Sequence, residues 1–176
     1  MNLYLRLILT WLKAKFKSPI RLGDTIEMSM RVWPNDVDVN GHMNNGRYLT
    51  ITDLAVFEYF SRAGFVGVAI RNGWRPMLGG AMISFRHGLR PFGKYVLRMT
   101  MTCWDERWSY MRFEFLQDGK VMAMGHAKGA IVGRKGIIST AETRAALGAD
   151  LTSPDFPQAI SAWIEADRLV RAGAGQ

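Results

Sequence analysis

The sequence predicts an α+β fold in which an antiparallel sheet wraps around one long central helix, with helical extensions at both ends. Three observations carry this. The stretch between Gly46 and Ala63 lacks glycine and proline and spaces its apolar residues as a helix does; several period-two segments follow it; and strands do not alternate with helices as a doubly wound α/β fold requires. At 176 residues and 48% hydrophobic content the chain can bury the core of one domain. Boundaries are expected at 1–22 for a leader, 23–138 for the domain and 139–176 for a C-terminal helical extension.

The net charge of +8 is unevenly placed. Arg6, Lys13, Lys15, Lys17 and Arg21 all precede the first acid, Asp24, leaving 18 basic residues against 15 acidic ones in the remainder. The domain proper is thus near neutral, without the basic stripe of a nucleic-acid reader, and no nucleic-acid partner is expected. The leader's apolar run Leu3–Leu12, broken by Arg6, is too short to cross a bilayer and lacks the order of a secretory signal. As a helix it lines Leu5, Ile8, Leu9, Leu12 and Phe16 along one side. Three readings stay open: packing on the domain or a second subunit, lying on a membrane surface with Trp11, Tyr4 and the lysines at the headgroups, or disorder.

Residues 24–33 alternate strictly, Ile26, Met28, Met30 and Val32 against Thr25, Glu27, Ser29 and Arg31, which reads as a half-buried strand. A polar loop, Asn35–Asn45, leads into the long helix. Tyr48, Leu49, Thr52, Ala55, Val56, Tyr59, Phe60 and Ala63 form that helix's apolar face; Arg47, Thr50, Glu58, Ser61 and Arg62 lie opposite, with Glu58 and Arg62 spaced as an i,i+4 ion pair. A short helix is expected at about 65–72. Strands follow: one around Ala81, Ile83 and Phe85; one placing Leu97, Met99, Met101 and Cys103 on a common face; one with Met111, Phe113 and Phe115 inward; and Val121–Val132. Asp118-Gly119 marks a tight hairpin, and Asp105-Glu106-Arg107 a second short connection. Gly125, Gly129 and Gly133 point to a bend or close backbone approach in the last strand. Helices at Ala141–Leu147 and Pro157–Arg171 complete the chain. The single Cys103 excludes a disulfide framework and reads as a small hydrophobe in a strand; Trp104 and Trp108 read as sheet packing.

Chemistry concentrates in Pro34–Tyr48. Asp36, Asp38, Asn40 and His42 stand two apart, so an extended backbone sends them to one side, and Asn44 or Asn45 can cap the helix that follows. A carboxylate, an imidazole, an amide and the free N–H groups of a helix start within eleven residues can together transfer an acyl group to water. Taken singly, Asp38 also suits a turn and His42 a satisfied loop histidine. No metal is expected, because His87 and His126 have no ligand-like spacing, and no cofactor. Asp53 interrupts an otherwise apolar stretch, as a second functional acid or an interface residue.

The stretch 32–64 resembles the opening strand, active-site loop and central helix of hotdog-fold acyl-CoA thioesterases. Asp36-Val37-Asp38 is similar to the Asp-x-Asp of the hydroxybenzoyl-CoA thioesterase group, and Asp38-Val-Asn40-Gly-His42 with Asn44, Asn45 and Tyr48 is similar to the plant acyl-ACP thioesterase motif. The "thioesterase superfamily member" branch shares more: His42-Met-Asn-Asn45, Arg47-Tyr-Leu49, the Cys103-Trp-Asp-Glu-Arg107 segment, a basic apolar leader and a Trp163-bearing terminal helix. The resemblance implies a hotdog fold and hydrolysis of an acyl-CoA or acyl carrier protein thioester. It assigns catalysis to Asp38, His42 and Asn40 and substrate binding to Asn44, Asn45, Gly46 and Tyr48. It also implies a homodimer or homotetramer, in lipid metabolism at a cytoplasmic location with membrane-surface contact through residues 1–18 an option. The Pro-Ala-Gly that follows the second Asp in the hydroxybenzoyl-CoA enzymes is absent, so their aromatic substrate is not carried over. The alternative is a non-catalytic hotdog protein that binds acyl chains or a partner.

Overall fold

The computed structural model describes residues 3–149 and 152–173; the outermost residues of the expected leader and extension, and positions 150–151, lie outside them. In chain order the elements are α1 (Leu3–Lys15), β1 (Thr25–Arg31), a 3-10 turn (Pro34–Asp36), α2 (Asn45–Arg62), α3 (Phe65–Asn72), β2 (Arg75–Phe85), β3 (Lys94–Trp104), β4 (Ser109–Gln117), β5 (Lys120–Gly133), β6 (Gly136–Ile138), α4 (Thr140–Ala146) and α5 (Gln158–Gly173). The strands form one antiparallel sheet ordered β1-β3-β4-β5-β2, with β6 pairing β5. Helix α2 supplies Tyr48, Ile51, Leu54, Ala55 and Tyr59 to a core completed by Ile26, Leu97, Met99, Phe113 and Phe115 from the sheet. This is the hotdog architecture: a long helix laid into the concave face of an antiparallel sheet.

Turn chemistry fixes the register. At the β4–β5 hairpin Asp118 and Gly119 both take positive φ (52° and 75°), as a two-residue type I′ turn demands. The β3–β4 connection closes on Asp105, whose carboxylate accepts from the Arg107 and Trp108 N–H groups (2.8 and 2.6 Å) and from the Tyr110 hydroxyl (3.0 Å). In β5, a Cβ at Gly125 would stand 2.1 Å from the Met82 carbonyl oxygen, so β2 can approach only because that residue is glycine.

The structure corrects two readings. A bulge between Met101 and Cys103 shifts β3 by one residue, so Cys103 leaves the face it was expected to share with Leu97, Met99 and Met101. It packs instead in a second cluster with Tyr110 and Ile160, against Trp108, Phe156 and Trp163 beneath α5; burial pushes its thiol up to about 11. Strand β2 begins at Arg75, well before the expected alternation at Ala81, because the edge position tolerates Pro76 and the register shift at Leu78/Gly80. On the polar side of α2 the expected Glu58–Arg62 pair forms at 3.5 Å, and Glu58 is also buried and paired with Lys17 at 2.6 Å, because α1 and the segment after it pack there.

Candidate active site

The loop between β1 and α2 is a compact hairpin held from inside, where the two-residue spacing predicted an extended segment. After the 3-10 turn, Val37 and Met43 form an antiparallel bridge. The Asp38 N–H donates to the His42 carbonyl (3.0 Å), and Gly41 N–H closes a turn onto the Asp38 carbonyl (3.1 Å). Gly41 sits at φ 72°, which favours glycine. Met43 N–H donates to the Leu89 carbonyl (3.0 Å), and Asn44 N–H to the Asp36 carbonyl (2.7 Å), fastening the hairpin to its neighbours.

This geometry separates the two aspartates. Asp36 turns inward and is fully buried, its carboxylate accepting from Arg6 Nη2 (2.5 Å), from Arg47 Nη2 and Nε (2.9 and 3.1 Å) and from the Trp33 N–H (3.0 Å). Burial pushes its carboxyl upward, but the hydrogen bonds from Arg6, Trp33 and Arg47 outweigh it and hold the group below the ordinary aspartate value. The expectation that Asp36 shares a side with Asp38, Asn40 and His42 therefore fails. Turn hydrogen bonds replace the extended backbone it assumed.

Asp38 stays partly open to solvent. Its Oδ1 accepts the Asn40 N–H at 2.9 Å, and its charge reaches Tyr48, whose hydroxyl is raised chiefly by burial and further by Asp38. Asn40 lies exposed at the hairpin turn, engaged with Asp38 through its backbone. His42 is exposed too, its ring lying over Gly88, where a Cβ would stand 2.6 Å from the imidazole. Asn44 caps α2 by accepting the Gly46 N–H (2.9 Å). Asn45 and Gly46 open the helix, and Tyr48 descends into the core, accepting the Leu89 N–H on its hydroxyl (3.3 Å). The structure thus joins Asp38 to His42 through the hairpin, sets Asn44 as the cap of the helix that Asn45 and Gly46 open, and brings Tyr48 within electrostatic reach of Asp38; backbone dipoles at a helix start favour developing negative charge. No cluster of three metal-ligating side chains occurs among the described residues.

Sequence reasoning missed two features. Arg6 and Arg47 orient the loop through Asp36; a buried arginine on a leader helix has no local sequence signal. A cavity of about 830 Å³ lies beyond the loop, bounded by apolar side chains including Val56, Phe57, Phe60, Met101 and Ile131. Asp53 also lines it, with its side chain exposed, and partial burial there pushes its carboxyl up. Asp38 and His42 are not among its walls.

The hotdog sheet wrapped on one long helix is a fold that solved thioesterases share. The fold matches gentisyl-coenzyme A thioesterase (TM-score 0.61, 18% identity, covering 69% of this chain and 99% of that one). It also matches the 1,4-dihydroxy-2-naphthoyl-CoA thioesterase from Synechocystis (TM-score 0.63, 16% identity, 76% and 100%). By sequence, residues 32–164 match the model of the thioesterase-like superfamily, and the chain belongs to that family. It is similar to Protein THEM6 of Xenopus laevis, 29% identical over 92% of this chain and 78% of that protein, and to Protein THEM6 of Danio rerio, 33% identical over 69% and 61%. A fungal protein named Thioesterase poxG, from Penicillium oxalicum, is 25% identical over 51% of this chain and 34% of its own length.

Proposed function

We propose that this protein hydrolyses the thioester of an acyl-CoA or acyl carrier protein, with Asp38 as the catalytic carboxylate. The observation that carries the reading is the division of labour in the Asp-x-Asp pair: Asp36 is buried and spent on two arginines, while Asp38 is only partly buried and is held by one turn hydrogen bond from the Asn40 N–H. Asp38 takes a proton from water as the water oxygen bonds to the carbonyl carbon, or attacks that carbon itself to give an anhydride that water then cleaves. N–H groups at a helix start hold the oxyanion, the C–S bond breaks, and the thiolate leaves as thiol after protonation, with His42 beside it. Asn40 positions the water.

The active form in this proposal is a homodimer. Strand β2 is an edge strand whose Met77 and Leu78 are exposed, and a second copy joined there extends the sheet and brings further walls to the loop.

The test is thiol release from a panel of acyl-CoAs. Asp38→Asn is expected to lower kcat at least 100-fold with thermal unfolding unchanged; turnover equal to the unsubstituted protein would remove Asp38 from the mechanism. The separation of the 830 Å³ cavity from Asp38 favours a second reading, an acyl-binding protein without turnover. Saturable acyl-CoA binding with no thiol release across the panel would select it.

A further inference from the structure

Helix α1 is mounted with its apolar side outward. Its inner face carries Arg6, Thr10 and Ala14, of which Arg6 is 2% and Thr10 5% exposed, with Leu3 and Leu7 touching the core. The outer face presents Tyr4, Leu5, Ile8, Trp11, Leu12 and Phe16; Ile8 is 54% exposed and Phe16 90%. A helix held to a domain by packing alone puts its leucines inward and its polar groups outward. Here a buried Arg6–Asp36 ion pair does the fastening, and seven large apolar side chains, Leu9 included, are exposed along one side of the helix.

The charges around the patch indicate what covers it. Neither Lys13 nor Lys15 is paired with a carboxylate among the described residues; Lys15 lies over the Trp11 ring at 3.7 Å, while Lys17 is taken by Glu58. No acid precedes Asp24. A second copy docked face to face would bring these cations together with nothing to neutralise them. An anionic bilayer surface offers both requirements at once, an acyl layer for the leucines and negative headgroups for the lysines, with Trp11 and Tyr4 suited to the boundary between them. We infer that α1 docks the protein on the surface of an anionic lipid bilayer. No helix of the described residues is long and apolar enough to cross one, so the contact is peripheral. Because the inner face of the same helix carries Arg6, docking places the Asp36 loop within one helix diameter of the lipid.

Vesicle flotation of the full chain tests this, without substrate and therefore apart from thioester hydrolysis. The protein is expected to float with phosphatidylcholine vesicles containing phosphatidylglycerol, not with phosphatidylcholine alone, and to be released by salt. Lys13→Gln with Lys15→Gln weakens partition about 30-fold, since each headgroup contact is worth roughly 1 kcal/mol. Ile8→Ser with Leu12→Ser weakens it more than 100-fold. Circular dichroism checks both pairs for folding; if the serine pair unfolds, the glutamine pair, at exposed positions, decides. Equal flotation with both vesicle types, flotation with neither, or unaltered binding by a folded variant pair overturns the proposal. So does an oligomer that the serine pair splits while no vesicle binding is seen.

Discussion

Asp36 and Asp38 carry the same carboxyl two positions apart, and their surroundings give them opposite properties. Asp36 has four hydrogen bonds and no solvent; Asp38 has one turn bond and an open side. Asp36→Asn leaves Arg6 buried beside a neutral amide, a broken buried pair whose usual cost is about 3 kcal/mol or more. A drop in melting temperature of several degrees is expected at neutral pH, together with lost acyl-CoA turnover as the loop loosens. The pH dependence has a definite sign. The folded Asp36 sits below the ordinary 3.8, so its contribution is complete above that value and disappears as pH falls through the folded value. The melting temperatures of the parent and of Asp36→Asn should therefore converge only in strong acid. Asp53 runs the other way. Its carboxyl is raised by desolvation and has no ion-pair partner among the described residues, so stability is lost as pH rises through its folded value. Because its side chain is exposed, solvent screens most of this effect, and Asp53→Asn is expected to raise the melting temperature only slightly at pH 7, with the gain vanishing below about pH 4; a fall at pH 7 would show that the carboxylate makes a favourable contact.

Whole elements were legible from sequence wherever one face was apolar and a turn residue marked the end. Helix α2, helix α3, the Asp118-Gly119 hairpin and the terminal helices fall where periodicity and punctuation put them. What the sequence hid was contact between distant segments. Glu58 looks solvated until α1 is laid over it, and Cys103 changes face because one extra residue enters β3. The docking of α5 is the same kind of feature. It rests on Ile160 and Trp163 against Tyr110, and on Lys128, 3% exposed, which lies 5.1 and 5.3 Å from the Trp108 and Trp163 rings and 2.6 Å from Asp167. Sequence gave no reason to pair a lysine in mid-strand with an acid 39 positions on. Removing only the acid, by Asp167→Ala, leaves a buried ammonium facing two rings and should cost about 2 kcal/mol. Lys128→Met keeps the hydrophobic contact and removes the charge, so it should cost less. Denaturant titration of both variants checks the order, and a larger loss for Lys128→Met would show that the ring–cation contacts, not the ion pair, hold α5.

The sheet has two ends, and they are finished differently. At one, β1 is short, and Glu27 pairs across to Arg98 in a ladder that continues through Glu114 to Arg112. Such interlaced charges suit a face that stays in water. At the other, β2 runs eleven residues with β5 on one side among the described residues; Arg75, Pro76 and the register shift at Leu78/Gly80 guard part of this edge, but Met77 and Leu78 between them are exposed. The exposed Met77-Leu78 pair is the part of this edge open to a partner, and a second β2 offers antiparallel hydrogen bonding with matching apolar residues on a two-fold axis. That arrangement also meets the chemical requirement, since one chain keeps its large apolar cavity away from Asp38. Leu78→Lys places a like charge on each side of the axis. The parent is expected to scatter light as a dimer, and this variant as a monomer with unchanged far-ultraviolet circular dichroism and thiol release reduced at least tenfold. A parent that is monomeric while fully active would show that one chain completes its own site, and the β2 edge would then need another partner.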